Sequence, residues 1–460
     1  METACPKAIH LSRILIVSAG PFSSQIGGGQ SYVQDLVVGY SGRGHAVTVL
    51  EPVRPGQGVA VGPNLWQGIA VYPVALPLPG ETLEEQSTEL GETRIALFCE
   101  ILRKIDPDVV HINGLMPTMV QACRHLGVRH VVVAHHPGEV CPKGDLLRPD
   151  DSICTLVPSP EVCGACVLRC KKGGAGIGNL LALLPSTVHR ILGKALVRRN
   201  PLGYVGRVLY IPWLVEQRLL GLQAYQRDAQ AIIAPSRAIA VALVRAGVQA
   251  DRVRVIHHGI HPVTCPPIDD LGQRLLRFAF VGRIDHAKGV HVLLRAMQQA
   301  GIEGRAELHL YGEATRSQDQ AAWQTALGSV GQPAWLHLHG KFPRHKVAEI
   351  YSAIDILVLP AIYLEIFGLV VAEALSAGRP VLTTACGGPA EQVVDGVNGW
   401  IVAPNDVDAL ARKIRQLVDY PSQVEEAATA TTVSFKTHAQ YLDEMEEVLS
   451  GKSGKQCDRK

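Results

Sequence analysis

Short apolar runs alternate with longer segments of helical periodicity in the first half of the chain. Predominantly apolar runs occupy residues 13–19, 46–52, 108–114 and 131–136. Runs of this length and composition are typical of strands that are covered on both faces of a parallel sheet. Between them, segments 31–45 and 95–105 repeat apolar residues at helical spacing. The alternation predicts a doubly wound, mostly parallel α/β domain.

A second alternation of the same kind follows a short, proline-rich stretch at 262–273, which we interpret as a hinge. The domain prediction is therefore an N-terminal domain over 1–262, a C-terminal domain over 274–432, and a final amphipathic helix over 433–460. We expect that helix to pack back towards the N-terminal domain. Within the first domain, segment 173–228 is predicted to form helices that are interrupted at Pro185, Pro201 and Pro212.

Composition narrows the function classes. The 460 residues are 47% hydrophobic and 19% charged, which supports large buried cores and excludes a disordered chain. Lys and Arg number 44 against 42 Asp and Glu, a formal net charge of +2. That balance argues against a protein that coats nucleic acid. No apolar run reaches the roughly 18 residues of a membrane span. The first residues lack a signal-peptide core, so we expect a cytoplasmic protein.

The strongest candidate site follows the apolar run ILVLP. Glu365 and Glu373 are eight residues apart, with Phe367, Gly368 and Leu369 between them. On one continuous helix the two carboxylates would be about 12 Å apart, at 1.5 Å per residue. If Glu365 lies on a loop and Glu373 lies in the second turn of a helix that begins near Gly368, both carboxylates can face one ligand. The free N–H groups of the helix would then point at an anion bound there.

This segment, YLEIFGLVVAEALSAGRPVLTT, resembles the E-x7-E motif of the retaining nucleotide-sugar glycosyltransferases of family 4. The resemblance implies the GT-B fold, in which two Rossmann-like domains face a cleft. It implies that the C-terminal domain binds the nucleotide-sugar donor and that the N-terminal domain binds the acceptor. It also implies that Glu365 contacts hydroxyls of the donor sugar and Glu373 the nucleotide ribose, with Phe367, Gly368 and Leu369 in the donor site.

A second candidate site is the segment VGRIDHAKGV, in which Arg283 and Lys288 lie on a loop that leaves a predicted strand. Loops at the carboxyl ends of parallel strands form the ligand crevice of such sheets. A forked guanidinium and a compact ammonium at this spacing suit a diphosphate. The segment is similar to the family's G-R-x4-K-G motif. The resemblance implies that both cations stabilise the charge that grows on the departing nucleotide diphosphate.

Two glycine pairs are similar to loops of the same family. Gly387 and Gly388 permit close approach of the backbone to donor phosphate or sugar, although a tight strand-to-helix turn explains them equally well. By the same resemblance, Glu391 anchors their loop. Gly28 and Gly29 open the first predicted helix and resemble the family's Gly-Gly pair near the donor phosphates.

The strand run VVVAHH ends in His135, which by resemblance is the family's cleft histidine, close to the donor sugar. His136 replaces the aspartate that follows it in the family, so a carboxylate that would orient the imidazole is missing from that position. Two further departures are His258 and His261, where family members commonly have Asn and Asp. A histidine that is simply hydrogen-bonded at a strand end is the structural alternative for His135.

Five of the eleven cysteines follow soon after His135, namely Cys141, Cys154, Cys163, Cys166 and Cys170. Cys163 and Cys166 form a C-x2-C half-site that is typical of zinc. We predict a structural zinc on Cys141, Cys154, Cys163 and Cys166, with Cys170 as an alternate ligand. Some family members carry a similar cysteine-bearing insertion here. Buried reduced thiols and an iron–sulfur role are the alternative interpretations.

The segment 173–228 is rich in basic and aromatic residues. Its members are Arg190, Lys194, Arg198, Arg199, Arg207, Arg218 and Arg227, together with Tyr204, Tyr210 and Trp213. This mixture suits peripheral contact with an anionic membrane surface, at the inner face of the membrane, where lipid-linked acceptors lie. The alternative is a solvated face on helices that close the acceptor groove.

These motifs predict a retaining glycosyltransferase that moves a hexose from a nucleotide diphosphate sugar to a hydroxyl of a saccharide, lipid-linked or small-molecule acceptor. His135, Arg283, Lys288 and Glu365 are its predicted catalytic residues. The resemblance implies front-face transfer without a catalytic cofactor, in which a donor phosphate oxygen helps to deprotonate the acceptor. The alternatives are a sugar-nucleotide epimerase, a phosphorylase, or a scaffold that binds a nucleotide sugar without turnover.

Overall fold

Two β-sheets with helices against their faces organise the chain. The computed structural model describes residues 12–22, 28–53, 63–78, 91–114, 116–170, 188, 191, 203–268, 271–331, 333–431 and 435–451. Strands of the first sheet lie within residues 13–255, and strands of the second lie within residues 276–402. The prediction of two consecutive α/β sheets is confirmed.

The first sheet has eight strands. Their bounds are Arg13–Val17 (β1), Ala46–Val53 (β2), Asn64–Trp66 (β3), Ile69–Ala75 (β4), Val109–Asn113 (β5), Arg129–Val133 (β6), Ile232–Ala234 (β7) and Val253–Val255 (β8). They follow the order β3-β4-β2-β1-β5-β6-β7-β8. Among the described residues of this sheet, β3 and β4 alone pair antiparallel, as an edge hairpin that the apolar pattern does not predict. The central strand β5 is buried along its whole length, which explains why its residues are predominantly apolar.

The second sheet has six strands, all parallel. Their bounds are Leu276–Val281 (β9), Ala306–Tyr311 (β10), Leu336–Gly340 (β11), Ile356–Leu359 (β12), Val381–Thr384 (β13) and Gly399–Val402 (β14). They follow the order β11-β10-β9-β12-β13-β14. The chain therefore moves outwards from β9 in one direction and from β12 in the other, so the strand order reverses between these two strands. Open α/β sheets bind ligands in the crevice at such a reversal.

Helices connect the strands and cover the sheets. Their bounds are Gly28–Gly42 (α1), Glu92–Ile105 (α2), Pro117–Leu126 (α3), Pro160–Arg169 (α4), Gly203–Asp228 (α5), Arg237–Arg245 (α6), Val290–Ala300 (α7), Ser317–Val330 (α8), Val347–Ser352 (α9), Leu369–Ser376 (α10), Gly388–Gln392 (α11), Val407–Asp419 (α12), Ser422–Ala430 (α13) and His438–Leu449 (α14). In the described part of the chain, none of these helices combines the length and the hydropathy that a bilayer crossing requires.

Helix α5 runs without a break through Pro212, so the interruption predicted there is wrong. Proline removes one helical hydrogen bond, but tertiary packing can outweigh that cost. The packing in question is an apolar cluster that joins α5 to α4 and is made by Leu168, Ile211, Val215, Leu219 and Leu222. Pro185 and Pro201 lie outside the described residues.

Helix α14 packs against the first sheet and its helix α1. Leu442 contacts α1 at Gly39, where a Cβ atom would overlap its side chain. The Tyr441 hydroxyl is hydrogen-bonded to the Tyr32 hydroxyl, and Arg43 pairs with Asp443 at 2.8 Å. The last helix thus closes the core of the first sheet. The predicted domain limits, and the roles assigned to the two domains, stay predictions.

Candidate active site

The first part of the site follows β9, at the strand-order reversal of the second sheet. Arg283 Nε donates to Asp285 Oδ2 at 2.8 Å, and the Lys288 backbone N–H donates to Asp285 Oδ1 at 3.0 Å. Asp285 therefore caps the short 3-10 turn His286–Lys288 and orients Arg283 at the same time. The Arg283 side chain remains 48% exposed, so its guanidinium is fixed and still open to a ligand.

A close approach at Gly289 brings the loop after β12 against this cationic loop. Gly289 has φ +71°, and a Cβ atom there would overlap the carbonyl oxygen of Pro360. The backbone N–H of Ile362 donates to the Ala287 carbonyl at 2.9 Å. Glycine supplies both the left-handed conformation and the space. The two loops of the strand-order reversal consequently form one surface.

Glu365 joins that surface as the partner of Lys288. The Lys288 ammonium forms an ion pair with Glu365 Oε2, and the Tyr363 hydroxyl donates to the same oxygen at 2.7 Å. The ammonium also lies 5.5 Å from the centre of the Tyr363 ring. The structure thus brings Lys288 and Glu365 into direct contact and places Arg283 next to them through Asp285. Tyr363 and Asp285 are members that the motif analysis missed.

The glycine loop after β13 rests on the backbone around Glu365. Gly388 N–H donates to the Glu365 carbonyl at 2.9 Å, and Gly387 has φ +75°. A Cβ atom at either glycine would overlap the backbone of the segment from Glu365 to Phe367. The contact that requires glycine in this structure is therefore with protein backbone. Contact of the same loop with a donor phosphate stays a prediction.

Glu391 anchors this loop to the other half of the molecule. Its carboxylate accepts hydrogen bonds from the backbone N–H groups of Arg237 and Ala238, at 2.9 and 2.8 Å, and lies 3.2 Å from His257 Nε2. These contacts lower the pKa of Glu391 against the opposing effect of burial. A carboxylate at the N-terminus of α6 also interacts favourably with that helix end. Phe367 adds an apolar contact between the halves, with its ring 5.3 Å from that of His258.

Glu373 lies on α10, which begins after Gly368 and has Leu369 as its first residue. Burial raises the pKa of Glu373 to about 7, opposed by Arg344 and by a hydrogen bond from the Tyr351 hydroxyl at 3.3 Å. Among the described residues, no hydrogen bond or ion pair joins Glu373 to Glu365 or Lys288. The structure therefore places Glu373 apart from those two residues, within electrostatic range of Arg344 and of Asp35 of α1, which form an ion pair at 2.7 Å.

His135 lies across from these groups, after β6, inside a cluster of rings. Its Nε2 atom is 3.1 Å from Asn113 Oδ1, and its ring lies 4.2 Å from that of Tyr32 and stacks at 5.0 Å on that of His258. Burial, and secondarily the neighbouring histidines His258 and His111, hold the pKa of His135 well below its usual value. His135 is accordingly a neutral imidazole at physiological pH.

A buried carboxyl group, that of Glu139, is hydrogen-bonded to the backbone of this cluster. Glu139 is fully buried, and burial raises its pKa to about 8. Its oxygens accept from the His135 backbone N–H at 3.1 Å and from the Tyr225 hydroxyl at 3.4 Å. Sequence reasoning noted the missing aspartate at His136 but did not find this acid, which holds the backbone of His135 and not its ring. A carboxylic acid three residues after His136 carries no motif signal of its own.

Three guanidinium groups from both halves lie within electrostatic range of His136. Burial lowers the pKa of His136, and the charges of Arg218, Arg283 and Arg316 lower it further. Arg218 comes from α5 and donates to the Gly138 carbonyl at 3.3 Å. These guanidinium groups are candidate partners for a phosphorylated ligand. Arg218 was predicted only as part of a basic segment, and Arg316 was missed.

A cavity of about 680 Å³ adjoins Arg283 at the carboxyl ends of β9, β10 and β11. Its lining includes Ile284, Gly312, Glu313, Trp323 and Gly340. This volume falls in the range of small-molecule sites. The cavity could not be predicted from the sequence, because its walls come from three separate strand ends and helix α8.

Gly28 and Gly29 form the exposed beginning of α1, and a Cβ atom at either position would meet nothing within 4 Å. No protein contact therefore requires glycine there in the described part of the chain. Their predicted role beside donor phosphates stays a prediction.

The five clustered cysteines are free thiols in one neighbourhood. Burial raises the pKa of Cys163 to about 11, and Cys141 and Cys154 raise it further. Burial likewise raises the pKa of Cys166 to about 12, with contributions from Cys170, Cys141 and Cys154. Among the described residues, no three of these sulfurs lie within 4.8 Å of one another. The thiols therefore influence one another without forming a closed ligand set.

Comparison with known proteins places these features in a family. The model for glycosyl transferases group 1 matches residues 272–433, and the model for glycosyltransferase family 4 matches residues 26–153. The alpha-maltose-1-phosphate synthase of Mycolicibacterium smegmatis is 30% identical over 286 residues, which are 55% of this chain and 69% of that protein. A D-inositol 3-phosphate glycosyltransferase of Streptomyces griseus is 30% identical over 240 residues, 48% of this chain and 50% of that protein.

Solved structures agree at the level of the fold. Sucrose-phosphate synthase of Thermosynechococcus elongatus superposes with a TM-score of 0.66 at 20% identity, over 96% of this chain and 100% of that one. Anabaena HepE, solved in complex with UDP and glucose, gives a TM-score of 0.63 at 17% identity over the same shares. Two sheets of this kind with a site between them define the GT-B glycosyltransferase fold, as predicted. The chain belongs to the group 1, family 4 glycosyltransferases, and it spans about half of the length of the first curated relatives that it matches.

Proposed function

We propose that this protein is a retaining hexosyltransferase that uses a nucleotide diphosphate sugar and a hydroxyl acceptor. The observation that carries the proposal is the network of Arg283, Asp285, Lys288 and Glu365 at the strand-order reversal of the second sheet. It presents two cations and a carboxylate beside a cavity large enough for a nucleoside. UDP and UDP-glucose are the ligands of the HepE complexes, which share the fold.

In this proposal the nucleoside occupies the cavity, and the diphosphate lies against Arg283 and Lys288. The cations stabilise charge on the diphosphate as the bond to the sugar breaks, a task that fixed charges perform with little reorganisation. Glu365 then exchanges its ion pair with Lys288 for hydroxyls of the sugar. Glu373 takes the nucleotide ribose, and the glycine loop approaches the phosphates or the sugar.

The face that holds His135 contributes position and hydrogen bonding to this reaction. A neutral imidazole can accept or donate one hydrogen bond without adding charge beside the sugar. No side chain of the described network acts as the nucleophile in this scheme. A donor phosphate oxygen takes the proton of the acceptor hydroxyl, whose oxygen bonds to the anomeric carbon on the face from which the nucleoside diphosphate leaves. The protein supplies orientation and charge stabilisation.

The experiment is a donor screen followed by product analysis. Thermal shift with UDP-, GDP- and ADP-sugars identifies the donor, because a ligand at 100 times its Kd adds about 2.7 kcal/mol of stability. Incubation of that donor with saccharide, lipid-linked and small-molecule acceptors is followed by NMR of the anomeric proton. Retained configuration supports the proposal, and inverted configuration contradicts it.

The same assay separates the alternative functions. An epimerase changes the donor sugar without any acceptor product. A phosphorylase releases sugar phosphate only when inorganic phosphate is supplied. A scaffold binds the donor with no turnover, including the slow hydrolysis that we expect from the wild type and expect to be lost in Lys288→Ala.

We also propose that Cys141, Cys154, Cys163 and Cys166 hold a structural zinc, with Cys170 as an alternate ligand. Cys163 and Cys166 are one helical turn apart on α4, and Cys141 and Cys154 influence both electrostatically. Thiols with pKa values raised by burial need a cation to become thiolates, and zinc supplies it. Elemental analysis should find zinc that Cys163→Ser removes. Metal-free protein with freely titrating thiols contradicts this assignment.

Peripheral contact with an anionic membrane is a separate proposal that rests on the basic character of α5 and the segment before it. Within α5, Trp213 is buried and Arg218 donates to the Gly138 carbonyl, so those two side chains make contacts inside the protein. Arg227, which is 70% exposed, remains on the surface. Co-sedimentation with phosphatidylglycerol vesicles at low salt tests the contact. Equal sedimentation with neutral vesicles contradicts an electrostatic origin.

A further inference from the structure

One face of the second sheet carries a cluster of metal-ligating side chains away from the site described above. Glu307 and His309 alternate along β10, and His337 and His339 alternate along the edge strand β11. The parallel register pairs His309 directly with His337. Side chains two residues apart on a strand share a face, so the four groups stand side by side.

The ligand atoms of three of these residues converge. His309 Nε2 is 3.2 Å from Glu307 Oε2, and His337 Nε2 is 3.6 Å from Glu307 Oε1. All three groups offer atoms within 4.8 Å of one another. Two ligands at about 2.0–2.1 Å from one tetrahedral zinc lie roughly 3.3 Å apart, so these separations match a shared ion. In the described part of the chain, this is the one group of three or more such side chains with that spacing.

A second observation points to a ligand at the same place. The Nε2 atom of His337 is shut off from solvent and makes no hydrogen bond among the described residues, although 38% of the side chain is exposed. A buried polar atom without a partner is unfavourable. A cation between His337 and the Glu307 carboxylate supplies that partner.

The outer contacts are those that a metal-bound histidine requires. The other ring nitrogen of His309, Nδ1, lies 3.0 Å from His339 Nε2. A ligating imidazole uses one nitrogen for the ion and donates from the other to an acceptor that fixes its orientation. His339 in turn stacks on Tyr311 at 4.2 Å, so its position is also fixed.

We propose that Glu307, His309 and His337 form a binding site for a divalent transition-metal ion, with His339 as the positioning residue of His309. Two imidazoles and one carboxylate suit Zn²⁺, Co²⁺ or Ni²⁺, and they leave one coordination position for water. The ion would join β11 to β10. Since β11 is an edge strand with β10 as its neighbour in the sheet, this link fixes the strand whose end, Gly340, lines the cavity beside Arg283.

Cobalt titration of the purified full-length protein tests the proposal, because its absorption separates this site from the cysteines. We expect one bound Co²⁺ that gives d–d bands in the visible range without the near-ultraviolet charge-transfer band of thiolate ligands. The affinity for that Co²⁺ should fall at least tenfold in each of His309→Gln, His337→Gln and Glu307→Gln. In His339→Gln it should fall about 10–100-fold. His345→Gln, an exposed histidine of the same domain, is the matched control and should leave binding unchanged.

Folding of each variant is checked by its melting temperature in EDTA, which should equal that of the wild type in EDTA. In Zn²⁺ the wild type should gain more melting temperature than His309→Gln/His337→Gln, in which the cysteines alone remain to bind zinc. An unchanged cobalt titration in that double variant would overturn the proposal. So would a wild type whose bound cobalt is entirely thiolate-ligated.

Discussion

The two sides of the candidate site differ in the charge of their side chains. On the side of the second sheet, Arg283, Lys288 and Glu365 are charged: Asp285 holds Arg283, and Lys288 pairs with Glu365. On the side of the first sheet, His135 and His258 are neutral, because burial depresses the pKa of both. One side therefore offers fixed charge and the other offers uncharged hydrogen-bonding groups against aromatic rings.

In the proposed function this difference lets one cleft bind two parts of a substrate. Fixed cations favour the diphosphate, whose negative charge grows during the proposed transfer. An uncharged wall next to the proposed sugar position does not compete with those cations.

Removal of the Lys288 ammonium should have the largest effect on activity. We expect Lys288→Ala to lower kcat/KM about 10²- to 10³-fold, the usual loss for one group that stabilises developing charge. Arg283→Ala and Glu373→Ala should each lower it at least about tenfold, or ~1.4 kcal/mol. Initial rates with saturating acceptor measure the effect. Lys413→Ala, a lysine of the same domain that donates to Gln416, is the control and should keep wild-type rates. Unchanged rates in Lys288→Ala end the assignment.

Replacement of Glu139 by a neutral residue should show how much a buried charge on the side of the first sheet lowers the free energy of unfolding. The folded pKa of Glu139 is about 8 against 4.5 for an ordinary carboxyl group, so the folded state holds the proton more tightly. Stability is therefore full below pH 4.5 and is lost as pH rises through 8. We expect Glu139→Gln to be more stable than wild type at pH 9, by at most about 5 kcal/mol, since the two pKa values differ by about 3.5 and each pKa unit is worth about 1.4 kcal/mol.

Urea unfolding at pH 5 and pH 9 measures this difference. Glu100→Gln, at an exposed carboxyl group, serves as the control and should follow the wild-type pH dependence. If Glu139→Gln loses as much stability between the two pH values as the wild type, Glu139 does not carry the buried charge.

Glu373 should make donor use depend on pH near neutrality. Burial raises its pKa to about 7, so the carboxylate forms only as pH rises through that value. We expect kcat/KM for the donor to rise about tenfold between pH 6 and pH 8, because the ionised form accepts hydrogen bonds from the ribose more strongly. Glu373→Gln should show a flat profile over that range. A wild-type step that persists in Glu373→Gln assigns the titration to another group.

The smallest expected effect is that of removing the hydrogen bond between Tyr32 and Tyr441, beside the neutral side of the site. Tyr32→Phe keeps the ring that lies against His135 and removes the hydrogen bond to Tyr441. We expect a loss of about 1 kcal/mol in the free energy of unfolding, with kcat/KM unchanged within twofold. Tyr72→Phe, a tyrosine of the edge hairpin, is the control for loss of a hydroxyl group. A large fall in activity without loss of stability would show that the hydroxyl takes part in the reaction.

The charged side was predictable from the sequence because its members are local. Arg283 and Lys288 are five residues apart and follow a single strand, and Glu365 follows the strand that pairs with it. The alternation of strands and helices places both strand ends at one edge of the sheet. The additional members Asp285 and Tyr363 lie on the same loops, but short polar residues there are common and carry no distinctive signal.

The neutral side could not be predicted in the same way, because it is assembled from distant parts of the chain. Tyr32, Asn113, His135 and His258 come from α1, from the ends of β5 and β6, and from the loop after β8. Their contact depends on the strand order and on α14, whose Tyr441 holds Tyr32. The resemblance to a family indicated His135 alone. Replacements such as His258 become intelligible only when the stacked rings are seen together.

The most direct test of the account is the affinity of the diphosphate group itself. Isothermal titration of UDP, GDP and ADP, each compared with its nucleoside, isolates the contribution of the phosphates. We predict that Arg283→Ala and Lys288→Ala each weaken the preferred diphosphate at least tenfold and leave the nucleoside affinity unchanged. Equal diphosphate affinity in the wild type and both variants would contradict the claim that this loop binds the donor.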